Sequence, residues 1–364
     1  MIPYFLIFFL ILLPIKKRYI NNWCFLLLLL FTIIRWDVGW DYRWYYSLAG
    51  NKDLNVIPLF LEKQDIYKYL NLAGSWWYLR NEFFLRFISK VIWTLNLPAQ
   101  TIIIFYGTII LYFFKKGLDN FKINNKYVWL WFYSFPYFYF SSLSIMRQWA
   151  AISIVFYSYK YIRKKELKKY LLLILIASLF HKTALLMIFL YILQNINISK
   201  KVHILLFGIS FFFEKIFVFI IFNIKIPIIS YYKGYIIEKI GLGGAKMYYI
   251  ILGIYIILLL HFLFLKKRER KLEKIYTISL IGCFIYTSLI SLGHLGIRIS
   301  MYFLIFSLIL IDRYTSETIY KIGIFLLSLL LISSLLISDV TRQNIRSEYV
   351  PYQTIFNKRV IKGE

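Results

Sequence analysis

The sequence predicts an all-α polytopic membrane protein, with about 12 transmembrane helices and one interfacial amphipathic helix. Three observations lead there. The 364 residues are 60% hydrophobic and 21% aromatic, well above the roughly 45–50% apolar content of soluble domains. The apolar residues come in blocks whose length approaches what a hydrocarbon core of about 30 Å requires. The basic residues behind the net charge of +27 lie in short clusters between those blocks. That is the positive-inside pattern, not a nucleic-acid-binding face, so nucleic acid is excluded as a partner.

The chain opens "MIPYFLIFFLILLPIKKRYI". A cleavable signal peptide carries its basic residues ahead of the apolar run; here they follow it. This predicts a retained first span with Lys16, Lys17 and Arg18 in the cytoplasm. The predicted spans are 2–15, 22–34, 99–114, 127–141, 148–161, 169–180, 183–194, 202–222, 247–265, 275–292, 298–311 and 319–337. Several fall short of the ~20 residues of a full crossing. Their loops are expected to dip into the membrane thickness, where irregular backbone is tolerated if protein or a wet cavity surrounds it.

Segment 83–97, "FFLRFISKVIWTLNL", carries apolar residues at 83, 84, 87, 88, 91, 92 and 95, with Arg86, Ser89, Lys90 and Thr94 on the other face. It is expected to lie in the interface. Parity supports this. With 83–97 on the surface, the basic clusters 16–18, 115–126, 160–169, 200–201, 266–274 and 311–321 share the cytoplasmic side. The short loops opposite hold Arg147 and Lys182. Both termini are then outside. No internal repeat or Pro/Gly/Ser linker divides the chain, which is taken as a single integral membrane domain, 1–364, with outer segments 35–98, 223–246 and 338–364.

That topology brings scattered polar groups to one face. The first is "IIRWDVGWDYRWYYSLAG", residues 33–50. Charges at the end of a span ordinarily terminate a helix and snorkel, and Trp36, Trp40, Trp44, Tyr45 and Tyr46 suit an aromatic belt. A belt has no use for Asp37 and Asp41, however, and paired carboxylates at a membrane face are costly unless used. Gly39 permits a sharp turn between them, and one role open to Asp37 is to orient Arg35. Arg147 in "SSLSIMRQWAAIS" stands where an outer helix begins, and a guanidinium there joins exposed backbone N–H groups to favour an anion such as phosphate. His181 interrupts "YLLLILIASLFHKTALLMIFLYIL" at the outer tip of a helix–turn–helix. Arms of about 13 residues, roughly 20 Å, set that tip below the surface, where a histidine serves as a base or as a donor to a charged ligand. Finally, "SLGHLGIRISMYFL" brings His294 and Arg298 to another outer mouth. Two arginines at two such mouths make a diphosphate clamp.

Weaker signals remain. Glu214–Lys215 in "FFFEKIFVF" is either a neutralised pair or a cavity lining, and "GLGG" at 241–244 is expected to be a flexible outer loop. His203, His261, Cys24 and Cys283 are expected to be structural. No metal-ligand spacing is found, and no cofactor is expected.

The blocks "RWDVGWDYRWYYSLAG", "RNEFFLRFI", "MRQWAAISI", "KKYLLLILIASLFHKTALLMIFLYIL", "GIRISMYFL" and "YVPYQTIF" resemble, in this order, the EpsG-type Wzy polysaccharide polymerases. Trp40 departs from the small residue that family more often has there. The resemblance implies a glycosyltransferase of the C-type membrane fold in a bacterial inner membrane, expected to be metal-independent because the chain has no metal-ligand cluster. It would transfer a growing glycan from undecaprenyl diphosphate onto an incoming lipid-linked repeat unit at the outer face. A chain-length regulator and a flippase of the same pathway would be partners. Within this reading Asp41, Asp37 and His181 are the catalytic candidates. Arg147, Arg298 and Arg35 are the diphosphate-binding candidates, and Trp40, Tyr42, Arg43, Glu82, Gln148 and His294 are expected to contact substrate. An O-antigen ligase would use similar cations on the same side. A lipid-linked oligosaccharide flippase would need polar residues along mid-span, where only Glu214 and Lys215 lie.

Overall fold

The structure is a computed structural model, described for residues 1–56, 81–213, 215–216, 219, 245–265, 270–290, 294–341 and 347–357, without the side chains at 245–246, 270–271 and 294–295. Glu214 and the GLGG stretch lie outside the described residues. Among those described are 16 α-helices and one short antiparallel bridge, with Arg35 opposite Thr354 and Trp36 opposite Gln353. The all-α expectation holds. The chain gathers into two compact units, residues 1–188 with 314–364, and residues 189–313.

Two helices among the described residues have the length and apolar character of a full crossing: Thr101–Asn120, with 20 residues, and Thr318–Thr341, with 24. Several other predicted spans are short or broken. The expected span 127–141 is two helices, Lys126–Ser134 and Tyr139–Ser144. Pro136 is the reason: it drives Phe135 into an extended conformation (φ −74°, ψ 118°) and brings no N–H of its own to a helical ladder. Asn125 caps the first piece by accepting from the Tyr127 N–H at 2.9 Å. The expected span 183–194 begins as a tight 3-10 turn, Lys182–Met187, and continues as Ile188–Asn195. The expected span 298–311 is divided into His294–Leu304 and Ser307–Tyr314.

In the first unit the Met146–Arg163 helix is buried on nearly all sides. It packs on Thr101–Asn120, where Gly117 permits the approach: a Cβ there would stand 2.3 Å from the Phe156 ring. The basic clusters of this unit gather at one end of these helices. Lys126 Nζ donates to the Leu12 carbonyl at 2.8 Å, and Arg163 Nη1 to the Asn120 carbonyl at 3.4 Å.

The amphipathic segment is helical over Phe83–Thr94, but its inner face is not the stripe expected. Leu85, Ile88, Ser89, Ile92 and Trp93 are buried, while Phe87 and Leu95 are exposed. The helix packs against the Tyr42–Gly50, Thr101–Asn120 and Leu167–Phe180 helices. Its indole at Trp93 donates to the Ala49 carbonyl at 2.9 Å. Packing on protein, not on lipid alone, selects the buried face.

In the second unit, Lys200–Ser210 is capped by Ser199, whose hydroxyl accepts from the Val202 N–H. His203 is buried, edge-on to Phe262 at 4.9 Å and 3.3 Å from the Thr277 hydroxyl. Cys24 and Cys283 are buried free thiols.

Candidate active site

The site is built on the turn that follows the Ile20–Ile33 helix. Asp37 adopts a left-handed conformation (φ 54°) and Gly39 follows at φ 99°. Only glycine fits at 39: a Cβ would lie 2.5 Å from the Leu143 carbonyl oxygen and 2.9 Å from Arg35 Nη1. The turn closes around Arg35, whose Nη1 donates to the carbonyls of Val38 (2.6 Å) and Leu143 (2.7 Å), while Nη2 faces Met146 Sδ at 3.1 Å. Arg35 is 0% exposed. The expectation that it contacts a diphosphate therefore does not fit; it pins the turn to the start of the Met146–Arg163 helix.

Tyr42 is likewise turned inward. Its hydroxyl donates to Gln100 Oε1 at 2.6 Å, and Gln100 Nε2 donates to the carbonyls of Ile33 and Arg35 at 2.8 and 3.0 Å. This glutamine, which the sequence reading did not single out, locks the helix end to the turn. Tyr42 is thus part of the framework that holds the turn. Gln148 is also buried, at 1% exposure.

Asp37 does not orient Arg35; it pairs instead with Arg43. The Arg43 Nε donates to both carboxylate oxygens at 2.9 and 3.0 Å, and Nη2 to Oδ2 at 2.7 Å. Trp40, between the two in sequence, is 53% exposed. The Trp40 backbone N–H donates to Ser144 Oγ at 3.0 Å, so the indole projects from a fixed backbone. Asp41 stands at the N-cap of the Tyr42–Gly50 helix, half-buried, without capping the helix through its side chain.

Arg147 is in the first turn of the Met146–Arg163 helix. Its Nε donates to the Tyr45 hydroxyl at 3.2 Å, and its Nη1 to Asn81 Oδ1 and Glu82 Oε2. Glu82 is at the N-cap of Phe83–Thr94 yet makes no capping bond; its carboxylate is turned to the guanidinium. The Trp44 ring lies 5.2 Å from the guanidinium carbon. Among the described residues Nη2 takes no hydrogen-bond partner, and the side chain is 24% exposed. Burial pushes the Tyr45 phenol above its ordinary pKa while Arg147 pulls the other way, so the hydroxyl is neutral.

His181 ends the Leu167–Phe180 helix and precedes the Lys182–Met187 turn, with Nδ1 2.6 Å from the Thr183 hydroxyl. Its neighbour Phe180 stacks on Phe84 at 4.1 Å and meets Tyr106 edge-on at 6.1 Å; Tyr106 in turn lies 5.9 Å from Tyr45. These rings tie the His181 turn to the elements that hold Arg147. The first unit thus brings together Asp37, Trp40, Asp41, Arg43, Glu82, Arg147 and the His181 turn. Arg298 and His294 belong to the second unit. The helix there begins at His294, so Arg298 lies one turn inside it; of His294 only the backbone is described.

The C-terminal segment completes the site. Asp339, in the last turn of Thr318–Thr341, accepts from the backbone N–H groups of Glu348 (2.7 Å), Tyr349 (2.8 Å) and Val350 (2.9 Å). The Glu348 carbonyl accepts from the Gly39 N–H at 2.7 Å, and Ile355 N–H donates to Ile34 at 2.9 Å. Asp339 was not singled out in the sequence, although a lone acid in "LLISDVT" is the signal that would have found it.

Among the described residues no group of three or more His, Cys, Asp or Glu is placed to hold a metal ion. Comparison with curated proteins and with solved structures returned no match. The model of the EpsG family matches residues 18–354, a stretch that runs from the basic turn before the second helix to the bridge strand of the tail and includes every candidate residue above. The chain therefore belongs to the EpsG family.

Proposed function

We propose that the protein is a polysaccharide polymerase that transfers a growing glycan from undecaprenyl diphosphate onto an incoming lipid-linked repeat unit. EpsG membership supports a glycosyltransferase-like polymerase. The observation that carries the finer reading is Arg147: a guanidinium held on Nε and Nη1, with Nη2 presented, at the first turn of an 18-residue helix. Cation and helix dipole together favour an oxyanion. In the transfer, the acceptor hydroxyl oxygen bonds to the donor's anomeric carbon as the glycosyl C–O bond to phosphate breaks. The electron pair leaves on the diphosphate, and the hydroxyl proton passes to a base.

Arg147 stabilises the charge that develops on the diphosphate, and the sequence offers Arg298 as a second cation for that role. No metal is required in this scheme, and elongation in vitro is expected to survive chelation. Asp37 already accepts three hydrogen bonds from Arg43; Asp41 and His181 are the better-placed bases. Trp40 and Arg43 receive the acceptor sugar. The reaction takes place at the outer face of the inner membrane, where both termini lie.

The test is the glycan ladder of a deletion strain complemented with variants. Loss of a polymerase leaves single repeat units attached and exported. Loss of a ligase leaves long polymer on its lipid carrier, and loss of a flippase leaves repeats inside. Asp41→Asn is expected to abolish elongation at normal protein abundance, with Asp37→Asn milder. Lysine lacks the planar fork, so Arg147→Lys and Arg298→Lys are expected to lose most elongation. Wild-type ladders from both Lys variants would make these arginines membrane anchors and end the clamp reading.

A further inference from the structure

The Tyr45 hydroxyl holds more of Arg147 than one bond implies. It accepts from Arg147 Nε at 3.2 Å and lies 3.5 Å from the Arg147 backbone N–H. One oxygen thus touches both ends of the arginine's aliphatic stem and folds the side chain back on its own helix. The ring itself has little freedom. Tyr45 is 1% exposed, edge-on to Trp44 at 4.8 Å and tilted against the buried Tyr106 at 5.9 Å. Tyr45 also stands one turn from Asp41, whose carbonyl accepts its backbone N–H at 3.0 Å. It therefore shares a nine-residue helix with Arg43, with Asp41 at that helix's N-cap.

We propose that Tyr45 is a positioning residue: its buried hydroxyl fixes the Arg147 guanidinium, with Nη2 outward, in register with the helix that carries Asp41 and Arg43. The inference rests on the reading of Arg147 as the diphosphate-binding group. Without the hydroxyl, Nε has no acceptor on that side, and the guanidinium, still paired through Nη1 with Asn81 and Glu82, can pivot about that pair. The cation then remains near the donor but is no longer held where charge develops. Misplacement of about 1 Å is enough to cost about 100-fold in rate. An interaction that acts on the transition state lowers turnover more than donor binding.

Tyr45→Phe keeps the ring and its packing and removes one oxygen. In an elongation assay with purified protein and lipid-linked repeat units, this variant is expected to lose about 10- to 100-fold in kcat, with donor KM changed less than about threefold and the thermal midpoint in detergent close to wild type. Lysine has no Nε. In an Arg147→Lys background, Tyr45→Phe is therefore expected to cause no further loss, because the two residues act as a unit. Wild-type turnover from Tyr45→Phe would overturn the inference while leaving the role of Arg147 intact. Equal losses from Tyr45→Phe in the wild-type and Arg147→Lys backgrounds would overturn it too, since the hydroxyl would then act elsewhere. Wild-type turnover from Arg147→Ala would remove the diphosphate reading itself and this inference with it.

Discussion

A single residue without a side chain sets the geometry of the charged turn. Gly39 sits at φ 99°, against the Leu143 carbonyl and the Arg35 guanidinium. Gly39→Ala must both adopt a left-handed backbone and displace one of those neighbours. The backbone strain alone is worth about 1–3 kcal/mol, so a loss of at least about 2 kcal/mol is expected. Thermal unfolding in detergent measures it; an unchanged midpoint would mean that the turn is looser than its hydrogen bonds indicate. The sequence made Gly39 legible as a turn residue. It did not show that Arg35 is the group the turn closes around. A charge at the end of an apolar run is normally solvated; the carbonyls of Val38 and Leu143, the second from 108 residues away, with Met146 Sδ and the Tyr42 ring, make its burial tolerable.

At the level of elements, the tail acts as a strut for the site. Asp339 gathers three consecutive N–H groups of 348–350, and the Glu348 carbonyl then accepts from Gly39. Asp339→Ala leaves those donors without their acceptor in a place where Asp339 is 2% exposed. Hydrogen bonds to a charged group contribute about 1.5–3 kcal/mol, so the variant is expected to lose about 3 kcal/mol. Hydrogen exchange should rise selectively at 347–357 and at Gly39. Protection equal to wild type at both places would show that the tail is held by other contacts, such as the Phe31–Tyr352 stack at 4.2 Å. The helices were legible from hydrophobic blocks. Their breaks were less so: Pro136 was in view, but the block 127–141 is apolar on both sides of it, and a hydropathy argument does not register a backbone kink.

For the molecule as a whole, the topology carries the functional argument and is directly testable. Reporter fusions after residues 97, 147 and 181 are expected to read as periplasmic or extracellular, and fusions after 122, 165 and 270 as cytoplasmic. A cytoplasmic signal at 147 would end the proposed convergence of the site on the outer face. Within the first unit, the grouping of the charged turn, Glu82, Arg147 and the His181 turn away from the basic cluster ends is already what alternating helices produce.

The sequence by itself determined the helical class, the family and the stretches that carry the chemistry, because apolar block length, basic clustering and ordered motifs are properties of the chain alone. It also placed Arg147 at a helix start, since the switch from polar to apolar residues marks that boundary locally. Which charges pair was decided only in three dimensions. Asp37 took Arg43 and not Arg35, Glu82 reached Arg147 across 65 residues, and Asp339 found the tail's backbone. The physical reason is that a buried or half-buried charge must be satisfied by whatever partner packing brings within about 3 Å, and no spacing in the chain encodes that distance.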